Sequence, residues 1–288
     1  MSDGPSRQGG PPELVLRVIS ALVLIAIVLA LTWQGGLAFA LLCAAGAALV
    51  LYEYLSMVKP ALPPGTFWAA AGGYGFMLAA WFGVNPMAAA LWSAFVLVVL
   101  AGADLWRKRQ LWGAAGLAYA VLPFMALAST RGSELIGLHA VFLIFACVWG
   151  ADTAAYFAGR AIGGPKLAPA ISPNKTWAGF FGGIAGSIIA ASAILYLSGY
   201  VLSATAVMLF VALSIVSQMG DLLESWIKRR FGKKDSGHII PGHGGMLDRI
   251  DGLITTSVAA WLAGSLVSGV ALVPGGAARG LFAAFILP

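Results

Sequence analysis

Polar positions along this chain are few and gather in clusters. Between the clusters run apolar stretches close to the roughly 20 residues that a membrane-spanning helix needs. The stretches cover 14–32, 35–55, 66–83, 87–103, 111–128, 136–158, 176–198, 202–221 and 252–273. Good turn formers separate several of them, at Gln34-Gly35-Gly36, Asn85-Pro86 and Ser198-Gly199-Tyr200. Residues 277–288 are too short to span again. The first run continues into Thr32-Trp33-Gln34 and not into a small-residue cleavage site, so it is expected to be a retained helix. Residues 1–13, made of Gly, Pro, Ser and charge, are expected to form a disordered tail. No period of 20–50 residues repeats. The pattern predicts an all-α integral membrane protein, a polytopic bundle of about nine transmembrane helices. Its N-terminal membrane helices lie in 14–135. A C-terminal membrane region, 136–288, carries two long polar loops, 159–175 and 222–251.

Composition supports the membrane assignment. The chain is 60% hydrophobic and 10% charged, with a mean hydropathy of +0.90. A soluble domain is nearer half apolar and a quarter charged. Cys43 and Cys147 lie inside apolar runs and are read as packing residues. The net charge of +6 could suggest nucleic acid, but where the charges sit argues for another reading. With the N-terminus cytoplasmic, fifteen of the seventeen Lys and Arg fall on the cytoplasmic side, Arg107-Lys108-Arg109 among them. Only Arg131 and Arg279 fall opposite. That asymmetry is the positive-inside bias, and it favours an odd number of spans. No nucleic-acid partner is expected. Some of these cations can hold anionic lipid heads.

The chemistry concentrates in residues 228–252, with six Lys or Arg, three acids and two His. Asp248 and Asp251, three apart at the start of the last span, share a face in a first helical turn. One acid there would be ordinary capping. Two flanking Arg249 after the turn Pro241-Gly242-His243-Gly244-Gly245 suit a divalent cation and phosphate, with Mg²⁺ favoured by hard oxygen ligands and zinc disfavoured. The turn can offer backbone N–H groups to phosphate. His243 reads as a base, a phosphate donor or a loop-ordering residue. Asp221, Glu224, Ser225 and Lys228 lie on one helical face at the end of the eighth span. A solvated Glu224–Lys228 pair explains Glu224 well, but not Asp221, which follows forty-five uncharged residues. Asp152 sits near the end of the sixth span. It either pairs with Arg160 or serves a function, the default for an intramembrane acid. Ser172-Pro173-Asn174-Lys175 precedes the seventh span, and reads equally as an anion site at a helix start or as ordinary capping by Ser172 or Asn174. The Gly159–Lys166 stretch does not have phosphate-loop spacing.

Together these segments resemble the phosphatidate cytidylyltransferase (CDP-diacylglycerol synthase) family. The likeness is carried by Ser225-x-Ile227-Lys228-Arg229, Lys234-Asp235-x-Gly237 and Ile240-Pro241-Gly242-His243-Gly244-Gly245-x-Leu247-Asp248-Arg249-Ile250-Asp251. Asp152-Thr153-Ala154-Ala155-Tyr156-Phe157, Ser172-Pro173-x-Lys175-Thr176-Trp177 and Gly220-Asp221-Leu222 add to it. The matches cover roughly the C-terminal half. The chain departs from the family at Asn174, where Lys is usual, and at Ala178, where Glu is usual.

The resemblance implies transfer of the cytidylyl group of CTP to phosphatidic acid, giving CDP-diacylglycerol and pyrophosphate. It implies Mg²⁺, with room for a second cation, held by Asp221 and Asp248 with Asp152 and Asp251 in support. Lys175, Arg249 and His243 join the catalytic set. Ser172, Lys228, Arg229, Lys234, Gly244 and Gly245 are expected on the substrates. CTP, phosphatidic acid and membrane lipids are the expected partners, with a homodimer the expected assembly. A bacterial inner membrane, with the site facing the cytoplasm, is the expected location. A transporter would need midplane acids and broken helices. A lipid-binding scaffold would leave the carboxylates unexplained. An enzyme joining an alcohol to a CDP-activated lipid would need a closely packed Asp-rich motif that is absent here.

Overall fold

A computed structural model describes residues 13–59, 62, 65–83, 86–106, 111–240, 244–269 and 274–286. Residues 1–12 of the expected tail 1–13, the Arg107-Lys108-Arg109 cluster and Pro241-Gly242-His243 lie outside the described residues, while Glu13 is helical. The helices are α1 (Glu13–Gln34), α2 (Gly36–Val58), α3 (Thr66–Gly83), α4 (Pro86–Trp106), α5 (Trp112–Arg131), α6 (Leu135–Ile162), α7 (Trp177–Leu197), α8 (Ala204–Arg230) and α9 (Leu247–Ser268). A short α10 (Gly276–Leu281) runs into a π-turn, Phe282–Ile286. Between α6 and α7 lies a two-stranded antiparallel hairpin, β1 (Lys166–Ala168) and β2 (Ser172–Thr176). Among the described residues, seven helices (α1, α2 and α5–α9) are long and apolar enough to cross a membrane. Helices α3 and α4 coincide with the third and fourth apolar runs. The expected nine thus stands at seven by this measure.

The helices outrun the apolar stretches that signalled them. The eighth run ends at Asp221, yet α8 continues to Arg230. Leu222, Leu223, Trp226 and Ile227 keep an apolar stripe going, and Lys228, Arg229 and Arg230 in the last turn complement the helix dipole. The last long helix begins at Leu247 rather than 252, with Asp248 in its first turn, and closes at the left-handed Gly269. The polar loop between them therefore shrinks from 222–251 to 231–246. Helix α6 likewise runs to Ile162 and stops at Gly163, whose φ is +68°. The expected helix start at Ser172 is a strand instead, and the cap of α7 is Thr176, whose hydroxyl accepts from the Gly179 N–H at 3.1 Å.

Helices α2, α5, α8 and α9 build the core around the buried Tyr54, Leu117, Phe210, Leu247 and Ile254. Tyr54 lies over Gly116 of α5, where an added Cβ would stand 2.5 Å from its ring, and it meets Tyr119 at 5.8 Å between ring centres. Helices α6 and α7 approach almost backbone to backbone. A Cβ on Gly186 would fall onto the Gly150 carbonyl and the Ala154 methyl. Small residues at such crossings let membrane helices gain dispersion contact without large side chains. At one end of the bundle the buried Arg131 donates to the carbonyls of Thr32 at 2.6 Å and Trp33 at 2.8 Å, closing the C-terminus of α1. Gly35 leaves room for that guanidinium, since a Cβ there would lie 2.6 Å from Nη2. Arg279 pairs with Glu134 at the same end.

Candidate active site

The end of α6, the β1–β2 hairpin, the last turns of α8 and the first turn of α9 meet at the opposite end of the bundle. The hairpin is pinned by Lys166 against Thr176 and Ala168 against Ser172. It is tied to the helix it precedes by the Trp177 N–H donating to the Pro165 carbonyl at 3.1 Å. This rigid lead-in presents Lys175, whose ammonium forms an ion pair with Asp221 of α8. Ser225, one turn below, lies 3.5 Å from the same carboxylate.

A second ion-paired group lies deeper on α8. Lys228 reaches Glu224, one turn back, at 2.5 Å and Asp248 of α9 at 2.7 Å. Glu224 is fully buried. Asp248 also accepts from the Ser236 N–H and the Ser236 hydroxyl, both at 2.9 Å. Asp251, one turn along α9, accepts from the Gly252 N–H at 2.7 Å. Its charge interacts with those of Asp221, Glu224 and Asp152, and Asp152 interacts with Asp221 and Lys175. Five carboxylates from three helices therefore share one neighbourhood with two ion-paired lysines. That excess of negative charge suits a divalent cation with oxygen ligands. Among the described residues no three His, Cys, Asp or Glu already converge as a closed metal cage.

The remaining expected residues that are described differ in exposure. Arg249, Arg229 and Lys234 are exposed, and Ser172 is half-buried in β2. Arg229 spends part of its guanidinium on the Lys233 carbonyl at 3.1 Å. Gly244 has φ +84° and exchanges backbone hydrogen bonds with Ile240, so its N–H points to Ile240 at 3.2 Å. Gly245 is buried beneath Ser236: a Cβ there would fall on the Ser236 hydroxyl and lie 3.0 Å from Asp248 Oδ2. Asp152 is exposed on α6, and Arg160 binds Tyr156 at 2.9 Å rather than Asp152.

Two residues of this site, Ser236 and Glu53, were not singled out in the sequence. Glu53 of α2 is 1% exposed, and its carboxylate accepts from the Met246 and Leu247 N–H groups at 2.9 and 2.8 Å, with the Ser236 hydroxyl, whose single proton it shares with Asp248, 3.1 Å away. The signal for Glu53 was present, because a lone acid inside an apolar span is functional by default.

The cytidylyltransferase family model matches residues 15–267. A phosphatidate cytidylyltransferase of Brucella suis biovar 1 (strain 1330) is 40% identical over 266 residues, covering 88% of this chain and 94% of that one. The phosphatidate cytidylyltransferase of Staphylococcus aureus (strain COL) is 36% identical over 248 residues, covering 82% and 93%. That of Staphylococcus haemolyticus (strain JCSC1435) is 47% identical over a shorter 136 residues, 47% of this chain and 51% of its own.

Proposed function

The chain belongs to the cytidylyltransferase family, and on that premise we propose how its residues carry the reaction. It is a membrane enzyme that transfers the cytidylyl group of CTP to phosphatidate, as the names of its relatives state for them. A phosphatidate oxygen attacks the α-phosphorus of CTP, the bond to the β-phosphate oxygen breaks, and pyrophosphate leaves. The phosphate nucleophile is already ionised, so the protein's task is positioning and charge neutralisation.

The observation that carries this reading is the junction of the Lys175–Asp221 and Lys228–Asp248 ion pairs among five carboxylates. Asp221 and Asp248 would hold Mg²⁺, with Asp152 and Asp251 supporting it. When bound, the ion would polarise the phosphate oxygens of CTP and offset the charge of the leaving pyrophosphate. Lys175, at the base of the hairpin where β2 runs into α7, can exchange its carboxylate partner for a triphosphate oxygen. Lys228 holds Asp248 in place and screens Glu224. The exposed Arg229, Lys234 and Arg249, close in the chain to the ion-paired residues, can draw in the anionic nucleotide and lipid head. The charge asymmetry of the chain supports a site facing the cytoplasm of a bacterial inner membrane.

Turnover by the purified, detergent-solubilised full chain tests the reading. It is supplied with phosphatidic acid, radiolabelled CTP and Mg²⁺. Label is expected in the lipid phase, and is expected to vanish with EDTA or in Asp221→Asn. Label surviving EDTA overturns the metal assignment, and label surviving in Asp221→Asn overturns that residue's role.

A further inference from the structure

We infer that Glu53 is a positioning residue for the transfer, clamping the start of α9 and the Ser236 loop so that Asp248 is held in one place. This rests on the reading of Asp248 as a working carboxylate. Helix α9 begins without a side-chain cap of its own: Met246 offers none. The first amides of a helix have no partner within it, and a buried amide left unpaired is destabilising. Glu53 supplies the missing acceptor from another helix, one oxygen to Met246 and the other to Leu247. A negative group there also complements the helix dipole.

The clamp has a second arm. The Ser236 hydroxyl lies between Glu53 Oε2 at 3.1 Å and Asp248 Oδ2 at 2.9 Å, and the Ser236 N–H donates to Asp248 as well. Glu53 thus fixes both the helix turn that bears Asp248 and the loop residue that binds its carboxylate. Two glycines are shaped around it. A Cβ on Gly237 would stand 2.6 Å from Glu53 Oε1, and one on Gly245 would strike Ser236. An acid from the N-terminal half, 1% exposed in an apolar helix, therefore belongs to the active site without facing substrate.

The test uses the full chain in detergent, with Glu53→Gln as the main variant. Glutamine keeps the shape but turns an NH₂ group toward donors. Hydrogen exchange of metal-free protein over residues 231–248 reads the clamp without turnover. Steady-state kinetics per folded enzyme reads its consequence. Faster exchange confined to that segment is expected, with kcat lowered about 10–100-fold, as for other residues that orient ligating groups, and with a smaller change in KM for CTP. Glu53→Asp should recover part of the kcat loss. If Glu53→Gln fails to fold, Ser236→Ala removes only the hydroxyl arm and should move both readouts the same way by a smaller factor. Wild-type exchange and kcat, or a loss that merely tracks the folded fraction, overturns the proposal. Asp248→Asn is measured beside it. An active Asp248→Asn sinks the reading of Asp248. An inactive one beside a wild-type Glu53→Gln or Ser236→Ala sinks only the clamp.

Discussion

Lys228 serves two carboxylates at once, Glu224 at 2.5 Å and Asp248 at 2.7 Å, with 13% of its side chain exposed. Removing one member of a buried ion pair leaves the other charge uncompensated, which costs about 3–5 kcal/mol. Lys228→Met is therefore expected to lower the stability of the detergent-solubilised protein by about that amount in denaturation experiments. Adding Glu224→Gln should recover much of the loss. Equal stability of wild type and Lys228→Met would show that water reaches Glu224. Asp248→Asn acts differently. It keeps the side chain's shape and leaves Lys228 its Glu224 counter-charge, so the protein should remain inserted and folded while turnover falls nearly to zero. Gly245→Ala should reach the same site indirectly. Its methyl group displaces the Ser236 hydroxyl from Asp248, and activity is expected to drop about 10–100-fold. A wild-type rate in that variant would mean that the Ser236 contact is dispensable. The acids at 221, 248 and 251 could be read from spacing alone, because helical periodicity places them. Glu53 could not be joined to them, since it approaches residues 236–247 only through the packing of α2 on α9, and no local pattern encodes that contact.

Helix ends were harder to read than helix centres. Apolar runs mark the part of a helix that lipid or core must cover. They do not mark where its backbone hydrogen bonds stop, and so the eighth apolar run ends at Asp221 while α8 reaches Arg230. The nine further residues correspond to about 14 Å at 1.5 Å per residue. They set Asp221 back from the helix end and bring Lys228 level with α9. The β1–β2 hairpin was missed for a related reason. Strands of three and five residues without alternation carry almost no periodic signal. The α6–α7 pair carries Asp152 on one helix and leads into Lys175 through the hairpin, so its close approach sets the spacing of those two groups. Gly186→Val would force side-chain atoms against Gly150 and Ala154. Overpacking of this kind costs about 1–3 kcal/mol. The variant should melt earlier, and its remaining folded fraction should turn over more slowly than wild type. A normal rate per folded molecule would show that the α6–α7 distance does not reach the site.

At the scale of the whole molecule, the two cations expected opposite the cytoplasm both prove to be at one end, joined to backbone and to Glu134. The lysines and carboxylates of the site gather at the other end. Arg131 is there for more than topology: buried against the carbonyls of Thr32 and Trp33, it offsets the negative end of α1 and fastens that outlying helix to the bundle. Charge asymmetry read from sequence and polar contacts seen in the fold therefore divide the molecule along the same axis. This agreement gives the orientation a direct test. In a background where the buried Cys43 and Cys147 are replaced by alanine, Ser133→Cys and Lys233→Cys place single exposed thiols at the two ends. A membrane-impermeant maleimide added to intact cells lacking an outer membrane barrier should label Ser133→Cys at once. It should label Lys233→Cys only after the membrane is opened. The reverse pattern would put the carboxylates on the face away from soluble CTP and sink the cytoplasmic assignment. Labelling of both thiols from one side would overturn the division of the bundle into two ends, because α6 could not then cross between residue 133 and the hairpin that carries Lys175.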